Sequence, residues 1–237
     1  FRKRANEILD LVEKTESELR SADEDIAGDI YIGGGESEAM RLVAQAAHIL
    51  QKRYPNIHYH LYSGNADDVG ERLDKGLLDF GILIEPFDRK KYDSLRLPVR
   101  ERWGVLMRKD SPLADCDYIT PDDLKDKPLL HSRQSKVQDG IQAWFGYDIE
   151  ELNIVGTYNL LYNASLMVEE GVCYALCLDK LINTTGDSNL CFRPLINQVT
   201  AGIDLVWKKY QVFSKAAEKL LEIMREQMIP HENGTLS

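Results

Sequence analysis

Apolar positions along this chain change period repeatedly, and the changes mark out its elements. Residues 2–24 carry Ala5, Ile8, Leu9, Val12 and Leu19 on one side of a helix, with charges elsewhere and no glycine or proline. So charged a helix does not stabilise itself alone, and its apolar stripe is expected to pack on a partner or on the body of the protein. Asp29 to Ile32 alternate polar and apolar, as a half-buried strand does. Gly33, Gly34 and Gly35 stop that strand and allow close backbone approach. Helical spacing returns at Met40, Val43, Ala44, Ala47 and Leu50, with Ser37 or Glu36 placed to cap the helix. A helix start of this kind presents unpaired N–H groups and favours anions.

Tyr54-Pro55-Asn56 ends the helix, and Ile57 to Tyr62 is the next strand. Ser63-Gly64-Asn65 reads as a loop and cap before a helix through Val69, Leu73 and Lys75. Phe80 to Ile84 is a strand, interrupted by Glu85-Pro86-Phe87-Asp88 and Arg89-Lys90-Lys91. The β-α-β-α-β order predicts a parallel sheet with right-handed crossovers. A second unit starts near Leu95, with a strand from Trp103 to Arg108 and a turn at Lys109 to Leu113. Thr120 caps a helix that has Pro121 at its first position. Pro128-Leu129-Leu130 is a short strand, followed by the polar loop His131-Ser132-Arg133-Gln134 and a helix through Val137, Ile141 and Trp144. Strands are expected at Asn153 to Thr157, Val172 to Leu178, Cys191 to Leu195 and Ile203 to Trp207. Helices are expected at Asn159 to Glu170, ended by Gly171, and from a Ser214 cap to Met228, with 230–237 frayed.

Composition narrows the classes. A chain of 237 residues with 43% apolar content suits one large globular domain or two small ones. A net charge of −10 argues against wrapping nucleic acid with these residues, because phosphate binding needs a basic surface. No apolar run approaches a membrane span. Phe1-Arg2-Lys3-Arg4 has neither Met nor the apolar core of a secretion signal, so the chain reads as a cytoplasmic fragment lacking its N-terminal portion. Of the four cysteines, Cys173 and Cys177 would share a strand face about 13 Å apart, too far for a disulfide or a shared metal. They read as buried small hydrophobes.

Five segments in order resemble the effector-binding part of LysR-type transcriptional regulators. They are Gly-Asp-Ile-Tyr-Ile-Gly at 28–33 with a helix ending in Arg53-Tyr54-Pro55; Gly76-Leu77-Leu78-Asp79-Phe80-Gly81-Ile82; Lys109-Asp110-Ser111-Pro112-Leu113; Val168-Glu169-Glu170-Gly171-Val172; and Leu205-Val206-Trp207-Lys208-Lys209 with Ser214. The chain departs from the family pattern in carrying Cys173 where a second glycine is common, and Asp179-Lys180 in place of a proline. The paired cysteines of peroxide-sensing members are missing from His131 to Gln142. The resemblance implies an α/β, periplasmic-binding-protein-like (type II) fold. Two Rossmann-like lobes would be joined by two crossovers, near Glu85 to Leu95 and Leu195 to Ile203, and preceded by the amphipathic helix. Residues 1–27 would be a linker and dimerisation helix, 28–95 with 198–229 lobe I, 96–197 lobe II, and 230–237 a tail.

A small-molecule effector would then bind between the lobes, a homodimer or homotetramer would form, and promoter DNA would be bound through an N-terminal winged helix-turn-helix outside this sequence. RNA polymerase would be a further partner. Ligands of open α/β sheets lie at the carboxyl ends of strands. That selects Gly35, Glu36, Ser37, Ser63, Gly64, Asn65 and Glu85 in the first lobe, and His131, Ser132, Arg133, Tyr158 and Asn159 in the second. Arg133 could clamp a carboxylate or phosphate, whereas Glu36 disfavours a bare anion. Ser37 could simply cap, and Glu85 could form a hinge salt bridge.

No cofactor or metal is expected. His58 and His60 share a strand face without further ligands nearby. Gly33 and Gly35 fit G-x-G, but Glu38 stands where a dinucleotide site needs a small residue. No G-x-S-x-G is present, so the sequence does not point to an enzyme. A solute-binding receptor for transport would share the fold, but it has no use for the helix at 2–24.

Overall fold

In the computed structural model of the chain a sheet runs in the order β2 (Ile57–Ser63), β1 (Gly28–Gly34), β3 (Phe80–Ile84), β9 (Thr200–Lys208), β4 (Tyr92–Arg108), β7 (Tyr174–Leu178), β5 (Leu129–Ser132), β6 (Ile154–Tyr158), with β8 (Leu190–Pro194) also paired to β4. The structure describes residues 2–20, 26–85, 87–133, 143–146 and 151–228. The first half contains β1 (Gly28–Gly34), β2 (Ile57–Ser63) and β3 (Phe80–Ile84), which are parallel, as the crossover helices α2 (Met40–Arg53) and α3 (Ala66–Asp74) require. The returning strand β9 (Thr200–Lys208) then runs antiparallel to β3.

The second half is entered along β4, which runs unbroken from Tyr92 to Arg108. From Tyr92 to Arg102 it pairs with β9, and from Trp103 onward with β7 (Tyr174–Leu178) and, from Gly104, β8 (Leu190–Pro194). The first crossover is therefore not at Glu85 to Leu95. It lies further on, near Val99 to Trp103, after a register shift between Arg96 and Arg100. Pro98 sits in that shift, where its missing N–H removes no ladder hydrogen bond. The proline and the charges at Arg100, Glu101 and Arg102 break the alternating pattern, which is why the pattern shows only the Trp103 to Arg108 end of this strand. The parallel pairs β5 (Leu129–Ser132) with β6 (Ile154–Tyr158) and β5 with β7 complete the second half.

Each half has its own core on both sheet faces. In the first, α2 and the last helix, α6 (Lys215–Met228), bury Val43, Leu50, Leu220 and Met224 against Ile30, Ile32 and Phe80. On the other face α3 sets Val69 and Leu73 on Leu78, Leu83 and Val206. In the second half α5 (Leu161–Glu169) buries Ala164 and Val168 on Ala175, while Ile119, Leu124 and Leu129 fill the opposite face. Each such aliphatic side chain contributes about 1.5–3 kcal/mol by leaving water. Cys173, Cys177 and Cys191 are buried within these cores, and burial pushes each thiol up from its ordinary range.

Several caps match the sequence. Asn65 accepts the N–H groups of Asp67 and Asp68 at 3.0 Å each. Asp123 takes the N–H and hydroxyl of Thr120 ahead of Pro121, which opens α4 (Pro121–Leu124). Ser214 takes the N–H of Ala217 at 3.2 Å. The helix expected through Val137 and Ile141, and the tail at 230–237, lie outside the described residues.

One glycine on β4 is held by packing alone. A Cβ at Gly104 would fall 2.3 Å from the Arg193 carbonyl oxygen and 2.2 Å from the Phe192 ring. A backbone oxygen in a paired strand has no way to yield, so Gly104→Ala is expected to cost about 2–3 kcal/mol in urea unfolding.

The first helix, α1 (Arg2–Arg20), is docked by charge. Lys14 Nζ lies 2.6 Å from Asp79, Glu7 2.8 Å from Lys75, and Lys3 3.4 Å from Glu71. Its apolar stripe faces away: Ile8 and Leu9 are more than 60% exposed, and Ala5 and Val12 are also exposed. For Ala5, Ile8, Leu9 and Val12, the structure excludes, of the two expected packings, the one on the body of the protein.

Candidate functional site

The carboxyl ends of β1 and β3 face the start of α5 across a cleft between the two halves. Gly35, Glu36, Asn65, Ile82 and Ile84 line one wall, and Ser132, Tyr158, Asn159, Leu160 and Leu178 the other, with Trp103 at the crossover. The space between them is about 60 Å³.

Close packing shapes the β1 end. A Cβ at Gly33 would meet Leu78 at 2.5 Å and Val69 at 3.2 Å, because α3 and the turn before β3 press directly on this backbone. Gly35 has ordinary room, with the Gly64 carbonyl 3.6 Å from its hypothetical Cβ. Gly64 N–H donates to the Gly34 carbonyl at 3.0 Å and ties the two loops together.

Glu36 spans the cleft: its Oε2 accepts the backbone N–H of Leu161, the first residue of α5. A carboxylate at a helix N-terminus satisfies an unpaired donor and complements the helix dipole. Neither Glu36 nor Ser37 caps α2. That helix starts after Ala39, which makes no side-chain cap. Ser37 instead donates its hydroxyl to Glu101 Oε1 at 2.7 Å and accepts the N–H of Ala39 at 3.0 Å. The Ala39 N–H is shared with Glu101 at 3.1 Å. The crossing strand thus supplies a second acceptor for the N–H groups ahead of the helix.

Six of the twelve residues selected from the sequence therefore meet in the cleft: Gly35, Glu36, Asn65, Ser132, Tyr158 and Asn159. The other six lie off its lining. Ser37 faces Glu101, while Ser63 ends β2 and Gly64 packs on Tyr62 and Asp68. His131 is buried, with Nδ1 2.8 Å from the Ser132 carbonyl oxygen. Arg133 is exposed and contributes a backbone N–H to the Tyr158 carbonyl. Glu85 forms ion pairs with Arg89 and Arg96, which also hold the fully buried Asp204 at 2.6 and 2.9 Å.

The cleft's own polar groups are largely committed. Tyr158 donates its hydroxyl to the Leu176 carbonyl, and burial pushes that hydroxyl well above its ordinary range. It is a wall, not an acid or base at neutral pH. The Asn65 oxygen serves the α3 cap, which leaves its amide NH2 for a ligand.

Sequence reading missed the apolar wall and Glu101. Ile82 and Ile84 follow from the strand-end rule once β3 is placed. Trp103, Leu178 and Leu181 carry no local signal. Glu101 is 7% exposed, and its Oε2 has no partner among the described residues. Desolvation raises its carboxyl above the usual range, against the pull of its bonds from Ser37 and Ala39. It borders a second cavity of about 240 Å³ at the hinge, with Arg41, Arg100 and Lys180. Among the described residues no group of three or more His, Cys, Asp or Glu side chains is placed to hold a metal. His60 lies 2.9 Å from Asp29 and stacks on Tyr31, and His58 is 3.8 Å from the same carboxylate.

The LysR substrate binding domain family matches residues 23–229, nearly the whole chain. The chain belongs to this family. It is the effector-binding domain of a LysR-type transcriptional regulator. This LysR domain is 25% identical over 233 residues to YvbU, an uncharacterised HTH-type transcriptional regulator of Bacillus subtilis strain 168, covering 93% of this chain and 74% of that one. Its fold matches the LysR family regulator CbnR with a TM-score of 0.73 at 14% identity, covering 94% of this chain and 78% of the other. It also matches the effector-binding domain of QuiR in complex with shikimate, with a TM-score of 0.72 at 16% identity, covering 85% and 97%. The fold is thus the periplasmic-binding-protein-like one of two lobes and two crossovers. No helix among the described residues is long and apolar enough to cross a membrane.

Proposed function

We propose that this domain senses a small metabolite in the cleft between its lobes and passes the signal to DNA through α1. The observation that carries the reading is the contact of Glu36 with Leu161, which joins the lobes across the cleft. A ligand entering there competes with or braces that contact, and so favours one interlobe angle over another. The lobes are taken as 28–95 with 198–229 and 96–197, except that the pairing of β4 with β9 moves the first boundary on from 95 to about Arg102. The cleft residues act as binding groups, not as catalysts. Work in the cytoplasm, with promoter DNA and a second copy as partners, fits this role. A transport receptor is the weaker reading, because α1 presents an apolar stripe that such a receptor does not need.

The stripe on α1 supports self-association, since Ile8, Leu9 and Val12 are exposed on one charged helix. Ile8→Asp with Val12→Asp is expected to lower the mass in sedimentation equilibrium without changing the unfolding midpoint of the body. An unchanged mass would move the subunit contact elsewhere. For the whole regulator, candidate metabolites titrated while DNA bending is followed test the sensor itself. If no cleft ligand alters DNA binding or bending, the effector reading is wrong.

A further inference from the structure

Resting on the reading of the cleft as the effector site, we infer that Glu36 selects the effector's head group: the cleft takes a small, mainly apolar molecule presenting an amine and rejects one presenting a carboxylate. Among the described residues lining the cleft there is no Lys, Arg or His, and Glu36 carries the one charge. Arg133, the cation that the sequence placed here, is exposed and off the lining. A ligand carboxylate would seek the N–H at the start of α5, and Glu36 Oε2 already holds it. It would also meet a like charge at short range between apolar walls, where repulsion is poorly screened.

An ammonium meets the opposite situation. Glu36 Oε1 remains to accept from it while Oε2 stays on Leu161, so binding keeps the lobes joined. Trp103 lines the same space and brings an aromatic ring of the kind that attracts a cation, and Ile84, Leu178 and Leu181 offer apolar surface to the ligand's body. A space of about 60 Å³ holds little more than a head group, so the body enters as the lobes part.

The test is calorimetric titration of the chain with benzylamine and with benzoate, which differ little in size and share a ring. Wild type, Glu36→Gln and the plugged variant Leu178→Trp are compared, with melting curves to establish folding; Ile84→Trp plugs the cleft from the other lobe if Leu178→Trp does not fold. Glutamine keeps an oxygen for the Leu161 N–H and removes the charge. Wild type should prefer benzylamine by at least about tenfold, the preference should fall to near unity in Glu36→Gln, and plugging should abolish binding. Equal affinities in wild type, or a preference that survives Glu36→Gln, overturn the head-group assignment while loss on plugging still supports the cleft. Binding that is indifferent to the plug overturns the cleft reading and the assignment with it. No benzylamine binding in wild type overturns the assignment as well.

Discussion

Alanine in place of Asp79 is expected to lower the unfolding free energy by about 4 kcal/mol and to release α1 from the body. Lys14 and Asp79 are 6% and 2% exposed, and their charged atoms are 2.6 Å apart. Asp79 Oδ2 also accepts the Tyr31 N–H at 2.8 Å, and Gln211 reaches Oδ1 at 3.4 Å. Removing the carboxylate strands a buried ammonium and a buried backbone donor together. Lys14→Met should cost less, because Tyr31 and Gln211 still satisfy part of the carboxylate. Asp79→Asn, which keeps an acceptor for Tyr31, should fall between. Urea unfolding measures the ranking, and hydrogen exchange along α1 measures the release. The other ion pairs described between α1 and the body, Glu7 to Lys75 and Lys3 to Glu71, are solvent-facing and screened, so each holds the helix only weakly. If α1 stays protected in Asp79→Ala, those weak pairs hold the helix and the buried pair is not its mount.

Asp204→Ala should destabilise the domain by about 3 kcal/mol and loosen the crossover. Asp204 is fully buried between Arg89 and Arg96, and both guanidinium groups also reach Glu85. Alanine would leave two arginines facing a single carboxylate. Their partial exposure lets water relieve some of the cost, which places the value below that of Asp79. The site is tightly built, since a Cβ at Gly202 would lie 1.9 Å from Arg96 and 2.4 Å from Glu85. The cluster also sets an acid response. Arg96 foremost, then Arg89, holds the Glu85 carboxyl down from 4.5 to about 2, whereas burial raises that of Asp204. A carboxyl lowered by folding stabilises above its unfolded value, and that contribution is lost as pH falls towards about 2. Asp204 acts in the opposite sense, so the acid loss belongs to Glu85. Glu85→Gln should flatten the decline in stability between pH 4.5 and about 2, by about 1 kcal/mol given its exposure. A decline as steep as in wild type would assign it to other carboxylates.

Period and punctuation made most elements legible. The switch from alternation at Asp29 to Ile32 to helical spacing from Met40 placed β1 and α2, and Asn65, Thr120 and Ser214 marked helix starts through their own side chains. These signals are local, because a cap or a period needs only neighbours in the chain. The strand-end rule likewise brought Gly35, Glu36, Asn65, Ser132, Tyr158 and Asn159 to one cleft before any coordinates. It did not bring Ser37, Ser63, Gly64, Glu85, His131 or Arg133 to the lining. A serine beside a helix start reads as a cap, and only packing brings Glu101 from a strand 64 positions away to take its hydroxyl.

The sequence alone thus determined the alternation of strands and helices, the two-lobed order and the wall of residues from which a ligand site is drawn. Tertiary structure decided what those residues do there. Glu36 became a bridge because α5 begins in a separate lobe directly opposite it. β4 became one continuous hinge strand because β9 pairs across the irregularity at Pro98. The apolar stripe of α1 turned outward because a buried ion pair to Asp79 holds the charged face inward. Each outcome depends on a partner distant in the chain, and no local period encodes which distant group will arrive.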